Sequence, residues 1–226
     1  NIERVCSDTE NTKYSISEVN LIGFSFSFDL DFLTIFSMLE KYNIPLKSKE
    51  RENHPLIFAG GPVVSANPEP YKEFFDFFII GDGEDINLDA VRICKNNPDK
   101  ETALKLLSEI EGIYVPKYNN GKVKKLTKRL TECIYTPILS EDAFFKGTFI
   151  MEMSRGCANR CGFCLASYLN LPLRSVPYDE LIKTINLGLS YTDNIALLGA
   201  QISAHPRFHD VCKYIYDKIQ SGEDIK

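Results

Sequence analysis

The chain has 226 residues, of which 44% are hydrophobic, 25% charged and 12% aromatic. These are ordinary globular values, which exclude intrinsic disorder and fibrous repeats. With 26 basic and 31 acidic residues the net charge is -5, which argues against a protein that mainly binds nucleic acid through its phosphates. There is no apolar run of about 18 residues and no leader pattern at the start, so we expect a cytoplasmic protein that does not contact a membrane.

The first half of the sequence alternates short apolar runs with helix-spaced apolar residues. Runs that are apolar throughout, and that end in glycine, are typical of parallel strands covered on both faces. The pattern therefore predicts the α/β fold class. Strands are predicted at 20–26, 56–59 and 77–80, and helices at 32–39, 85–95 and 103–110.

A basic segment follows the predicted helices. Residues 117–129 carry six basic and no acidic side chains, and Asn119, Asn120 and Gly121 form a turn signal within them. The turn signal predicts a hairpin, whose lysines would be either a solvated sheet edge or a basic face for RNA. Residues 130–146 are expected to be a linker.

The second half begins with a predicted strand at 148–153 that leads directly into a cysteine-containing loop. A helix is predicted from Tyr178 to Leu189, a second buried strand at 194–199 and a last helix at 208–219. Both loops that follow strands would lie at the carboxyl edge of the sheet, where ligands bind in α/β proteins.

Cys157, Cys161 and Cys164 have the spacing C-x3-C-x2-C. Three thiolates so close together on a glycine-containing loop can converge on one metal centre, and soft thiolates select zinc or an iron–sulfur cluster. A structural zinc site needs four ligands, whereas a cluster with three can leave one iron open. Because the seven cysteines are odd in number and mostly scattered, a disulfide framework is not expected.

The residues also leave a zinc alternative open. His205 and His209 have the spacing H-x3-H downstream of Cys161 and Cys164, but a predicted helix and a strand separate the two pairs, unlike in a zinc finger. The other interpretation places both histidines at the start of the last helix. Arg155 and Arg174 flank the cysteine loop and are expected either in ion pairs or near a ligand.

The cysteine spacing, the aromatic residue before the last cysteine and the position after a strand resemble the radical S-adenosylmethionine (SAM) superfamily. The resemblance implies a partial (β/α) barrel in which Cys157, Cys161 and Cys164 hold a 4Fe-4S cluster that binds SAM. It implies that the cluster reductively cleaves SAM to methionine and a 5'-deoxyadenosyl radical. Phe163 would lie beside the adenine.

The loop after the second strand is a partial match to the same superfamily. Many members have Gly-Gly-Glu-Pro there, whereas this chain has Gly199, Ala200 and Gln201. By the resemblance these three residues would contact the methionine part of SAM. The glutamate of the usual pattern is replaced.

The first half resembles the cobalamin-binding type of Rossmann-like domain that precedes many radical SAM domains. The resemblance is carried by residues 24–31, 44–46, 59–62, 67–70 and 75–84. It implies that Ser25, Gly60 and Gly61 contact the nucleotide tail of cobalamin. The cobalt-ligating Asp-x-His-x-x-Gly motif of that family is absent. We expect an N-terminally truncated domain at 1–135 and an incomplete radical SAM domain at 140–226.

Two functions follow as hypotheses. The first is a radical SAM iron–sulfur enzyme, with cobalamin as a second candidate cofactor and with a flavodoxin or ferredoxin as the electron donor. The alternative is a scaffold or RNA-binding module without SAM chemistry, in which an iron–sulfur cluster or zinc only stabilises the cysteine loop. We expect the chain to be part of a longer protein, so this part alone would be inactive.

Overall fold

The computed structural model describes residues 19–222 and 224–225. The chain divides into two compact units between Thr127 and Lys128, called unit 1 and unit 2 below. Helices alternate with strands in both units, so the predicted α/β class is confirmed. The polar start of the chain, including Cys6, lies outside the described residues.

Unit 1 is built on one four-stranded sheet in which the strands follow in sequence order. Its elements are β1 (Leu21–Ser25), α1 (Asp31–Lys41), β2 (Leu56–Gly60), α2 (Pro62–Ala66), β3 (Phe77–Ile79), α3 (Ile86–Asn96), α4 (Lys100–Ser108) and β4 (Ile113–Tyr114). β1, β2 and β3 are parallel, and β4 pairs antiparallel with β3. The carboxyl ends of β1 and β2 are in register, with Ser25 opposite Gly60.

Both faces of this sheet are covered. On one face, Ile57 packs with Ile35 and Leu39 of α1. On the other, Phe77 packs with Ala90 of α3 and Leu107 of α4. Successive side chains of a strand point to opposite faces, so strands that are apolar at every position are what a sheet with two covered faces requires.

The predicted hairpin in the basic segment is wrong. No strand is present between Lys117 and Arg129 in the structure. The segment instead returns to the sheet once, where Leu126 forms an isolated bridge with Gly81. The chain after the turn signal therefore pairs with Ile80 and Gly81, which follow β3, rather than with the residues before the turn.

A buried ion pair joins the loops of unit 1. The side chain of Arg51 is 0% exposed, and its Nη2 lies 3.0 Å from Oδ2 of Asp76. Arg51 also donates to the carbonyls of Leu46 and Phe74, at 2.8 and 2.9 Å. Asp76 Oδ2 accepts a hydrogen bond from the Ile57 amide at 2.7 Å. The pair ties the segments before β2 and before β3 to the start of β2.

Unit 2 contains two small two-stranded sheets and three helices within the described residues. Its elements are β5 (Phe149–Glu152), β6 (Ser154–Arg155), α5 (Leu165–Leu169), β7 (Arg174–Ser175), α6 (Tyr178–Leu189), β8 (Ile195–Leu198) and α7 (Phe208–Gln220). β5 and β8 are parallel, whereas β6 and β7 are antiparallel. Met151, Leu181, Ile185 and Val211 form the centre of the core. These strands do not close a barrel.

The expected linker at 130–146 belongs to unit 2, and its first part, 130–139, packs on the core of that unit. Leu130 and Cys133 are buried in its core. The amide of Thr136 donates to the Ile150 carbonyl at 2.8 Å, and the amide of Glu152 donates to the Ile134 carbonyl at 2.7 Å. The segment thus runs along β5 although it is too irregular to be a strand.

None of the helices in the part of the chain that the structure describes is both long enough and apolar enough to cross a membrane.

Candidate functional site

Two loops of unit 2 meet at the carboxyl ends of neighbouring parallel strands. Glu152 of β5 pairs with Leu198 of β8. The chain continues from β5 through β6 into the cysteine loop, and from β8 into Gly199, Ala200 and Gln201. The sequence prediction placed the loops at this edge because parallel strands end on the same side.

The cysteine loop turns sharply at its first residue. Gly156 has φ +88°, and a Cβ there would lie 2.3 Å from the carbonyl oxygen of Asn170. Only glycine combines this left-handed conformation with such a close approach of backbone. The loop is therefore held against the segment that follows α5.

The two arginines beside the loop have partners in the chain. Arg155 Nε and Nη2 donate to the two carboxylate oxygens of Glu152, at 2.8 and 2.7 Å. Arg174 Nη1 donates to the Lys128 carbonyl at 2.7 Å, and Nη2 donates to the Asn170 carbonyl at 3.3 Å. These contacts favour the interpretation of both as residues that shape the loop.

The three cysteines of the loop are free and partly exposed. Cys164 directly precedes α5, and the hydroxyl and amide of Ser167 hold the pKa of its thiol below the ordinary value by hydrogen bonding to it. Burial has the opposite effect elsewhere, since it raises the pKa of Cys94 and of Cys133 to about 11. The loop cysteines are thus far more accessible for metal binding than these core cysteines.

The structure does not gather the three thiols around one point. Among the described residues, no group of three or more His, Cys, Asp or Glu side chains has a metal-binding arrangement. The donor set nevertheless fits an iron–sulfur cluster, because it consists of three accessible sulfur ligands on one loop. A Cβ at Gly162, between the second and third cysteine, would meet nothing within 4 Å, so the space beside the loop is open at this residue.

The second loop touches the first. Cys157 Sγ donates to Oε1 of Gln201 at 3.6 Å. Gly199 packs closely against β6, since a Cβ there would lie 2.7 Å from Ser154 Oγ. Ala200 is exposed. The structure thus brings Gln201 to a predicted metal ligand and gives Gly199 a packing role.

The sequence analysis did not identify Ser154 as a residue of the candidate site. It is 1% exposed, and among the described residues its buried hydroxyl has no hydrogen-bond partner. A serine in a two-residue strand such as β6 carries no signal in the sequence, and only the close approach of Gly199 identifies it.

Phe163, which was predicted to lie beside an adenine, has 92% of its surface exposed. Leu165 and Tyr168 of α5 are also exposed, at 61% and 49%. All three lie in or directly after the cysteine loop, so this short stretch of chain exposes several large apolar side chains. The ring of Phe163 is therefore accessible from the solvent beside the cysteine loop.

The histidines do not join the cysteines in this structure. His205 is 5% exposed, its Nε2 lies 2.8 Å from the Val176 carbonyl, and its Nδ1 accepts a hydrogen bond from the Arg207 amide at 3.0 Å. Both ring nitrogens are therefore used inside the fold. His209 is exposed near the start of α7. The structure gives the zinc alternative no support.

The candidate cobalamin contacts lie together at the carboxyl edge of the sheet of unit 1. Ser25 is exposed and pairs with Gly60, where a Cβ would make only ordinary contacts at 3.8 Å. Gly61 has φ +106°, and a Cβ there would lie 2.7 Å from the Phe26 carbonyl oxygen. The side of Gly61 on which a side chain would stand is therefore covered by the backbone of Phe26. His54 precedes β2 and lies at the opposite edge.

Carboxylates partly neutralise the basic segment. Lys124 Nζ lies 2.9 Å from Oε1 of Glu111, and Lys117 forms an ion pair with Glu101. These ion pairs favour the solvated-edge interpretation over an RNA-binding face.

The sequence is similar to two curated proteins. The chain is 31% identical over 202 residues to an uncharacterized protein of Methanocaldococcus jannaschii, an alignment that covers 84% of this chain and 42% of that protein. It is 26% identical over 220 residues to a 4'-phospho-dehydrooxetanocin synthase of Priestia megaterium, which covers 93% of this chain and 27% of the synthase. The chain therefore spans less than half the length of each of these curated relatives. No solved structure matches.

The family comparison is more specific. The sequence profile described as "Radical SAM proteins, N-terminal" matches residues 4–116, which is half of the chain. The matched segment lies wholly before the cysteine loop, so the profile and the C-x3-C-x2-C motif are separate lines of evidence. Together they show that the chain belongs to the radical SAM proteins.

Proposed function

We propose that this chain is part of an enzyme that holds a 4Fe-4S cluster at Cys157, Cys161 and Cys164 and cleaves SAM reductively. The observation that carries the proposal is the meeting of the cysteine loop and the loop after β8, at 3.6 Å between Cys157 Sγ and Gln201 Oε1. Family membership supports it, because radical SAM proteins use this cluster and this cosubstrate. The name of the Priestia megaterium relative, a synthase, supports an enzymatic role.

The residues of the chain have distinct tasks in this proposal. The cysteines supply three thiolates, and the bound cluster supplies one-electron reduction of SAM. Gly199 and Ala200 offer backbone without bulky side chains beside the cysteine loop. Phe163 provides an exposed aromatic ring that a nucleobase can cover, which would also exclude water from the site.

An electron donor and cobalamin complete the proposal. The exposed face around Phe163, Leu165 and Tyr168 leaves the loop accessible to a small electron-transfer protein such as a flavodoxin or ferredoxin. Ser25 and Gly60 offer accessible backbone to the nucleotide tail of a cobalamin at unit 1.

The test is anaerobic reconstitution of the intact protein with iron and sulfide, followed by reduction and addition of SAM. We expect the broad absorption of a 4Fe-4S cluster and the formation of 5'-deoxyadenosine. Cys161→Ala should lose both signals, because the remaining two thiolates do not hold the cluster. The same samples, supplied with hydroxocobalamin and desalted, show by their spectrum whether cobalamin is retained.

Cys212→Ala is the matched control, since it removes an exposed thiol of α7 outside the motif. It should keep the cluster and the product. A wild-type protein that binds zinc and forms no cluster would refute the proposal.

A further inference from the structure

Gln201 occupies a position from which it can act on the cluster rather than on SAM. Its Oε1 accepts a hydrogen bond from Cys157 Sγ, at 3.6 Å, although the residues are far apart in sequence. The parallel pairing of β5 with β8 creates this proximity, because it places the residues that follow both strands at one edge.

The loop that carries Gln201 is fixed on both sides. Before it, Gly199 packs against Ser154. After it, residues Ile202–Ala204 form a 3-10 turn, in which the Ala204 amide donates to the Gln201 carbonyl at 3.1 Å. His205, which is buried and bonded at both ring nitrogens, anchors the end of this turn. The Gln201 side chain therefore starts from a backbone with little freedom to move away.

The carboxamide of glutamine can form a hydrogen bond with either the thiol or the thiolate form of cysteine. Its oxygen accepts from the thiol that the structure contains, and its NH₂ group is a donor. A cysteine that binds metal is deprotonated, so its sulfur becomes an acceptor. Rotation of the amide by half a turn then directs the NH₂ group at the sulfur. A glutamate at this position would have no proton to donate when ionised.

We propose that the Gln201 carboxamide donates a hydrogen bond to the Cys157 thiolate of the bound cluster and thereby raises the reduction potential of the cluster. Reduction adds a negative charge to the cluster and its thiolates. A donor directed at a ligand sulfur stabilises the reduced form more than the oxidised form, and hydrogen bonds to sulfur are one of the factors that set cluster potentials. This inference rests on the proposed function.

The experiment measures the midpoint potential of the cluster in the intact, reconstituted protein without SAM, by a redox titration followed by electron paramagnetic resonance. Gln201→Asn keeps the amide but shortens the side chain by one methylene, so it should shift the potential to a more negative value. Gln201→Glu has nearly the same shape as glutamine and should shift the potential further, because it replaces the donor with a negative charge. Gln220→Glu, an exposed site at the end of α7, makes the same change of charge elsewhere and should leave the potential unchanged.

The two proposals fail in different ways. If the wild-type protein forms no cluster, the proposed function is wrong and this inference falls with it. If clusters form but the potentials of Gln201→Asn and Gln201→Glu equal that of the wild type, the inference is overturned and the function stands. If the asparagine variant does not fold, the nearly isosteric glutamate variant still tests the inference, because an unchanged potential in that variant alone overturns it.

Discussion

The buried pair of Arg51 and Asp76 shows what the sequence does not reveal about single residues. Arg51 lies in the charged stretch Lys49-Glu50-Arg51-Glu52, a pattern that normally indicates a solvated turn. Asp76, its partner, follows two phenylalanines and has no matching signal. Burial lowers the pKa of Arg51 despite the nearby carboxylate. By contrast, the cysteine motif was predictable because its residues are close together in sequence.

We predict that Arg51→Met destabilises unit 1 by about 3–5 kcal/mol, since it leaves the Asp76 carboxylate buried without its cation. The measurement is the change in the free energy of unfolding from chemical denaturation, followed by a signal from unit 1. Lys47→Met is the control, because Lys47 and Glu73 form an exposed pair at 3.7 Å that should contribute less than about 1 kcal/mol. Equal effects of the two substitutions would contradict the structural role of the buried pair.

Helices and long strands were predictable, whereas short elements were not. The apolar spacing located α1, α3, α4, α6 and α7 to within a few residues. β6 and β7 have two residues each, which is too short for any periodicity. α5 begins directly after Cys164, in residues for which the sequence analysis predicted no helix. The hairpin was predicted wrongly because a turn signal does not specify which strand the chain joins next.

Helix propensity alone predicts that replacing a glycine of α6 with alanine stabilises the protein. The packing of α6 against the strands predicts the opposite. Gly188 lies near the end of α6, and a Cβ there would lie 2.5 Å from Phe149 Cδ1 and 2.7 Å from Ile195 Cδ1. Gly188→Ala gains about 1 kcal/mol in helix propensity but forces the helix away from β5 and β8, which typically costs about 1–3 kcal/mol. We expect a net loss of stability of about 1 kcal/mol, measured by thermal unfolding.

Lys183→Ala on the exposed face of α6 is the control for this substitution. It also introduces alanine into the helix, but its side chain is 76% exposed, so stability should change by less than about 0.5 kcal/mol. A Gly188→Ala protein that is more stable than the wild type would show that α6 lies farther from the strands than the structure indicates.

At the scale of the molecule, each unit has its own hydrophobic core. The clusters around Ile57 and Phe77 belong to unit 1, and the cluster around Met151 belongs to unit 2. The α/β class followed from the alternation of elements. The bounds of the units did not, because residues 130–139 lack an obvious pattern and yet pack along β5. The assignment of the units as a cobalamin-binding-like domain at 1–135 and a radical SAM domain at 140–226 stays a prediction.

Leu107→Ala and Leu181→Ala form a matched pair, since both leucines are 0% exposed and each lies in a different unit. We expect each substitution to destabilise its own unit by about 2–5 kcal/mol through the cavity it creates. Hydrogen exchange followed by mass spectrometry should show lost protection in peptides of that unit. Loss of protection in both units from either substitution would show that they unfold as one.

The unpaired hydroxyl of Ser154 destabilises the fold next to the loops that we propose to be reactive. A buried hydroxyl without a partner costs about 1–3 kcal/mol, and it lies beside Gly199, in the loop that continues to Gln201. Local departures from optimal stability are expected where a protein is constrained by its task. Among the described residues of unit 2, this unsatisfied hydroxyl therefore adjoins the loops to which we assign the reaction.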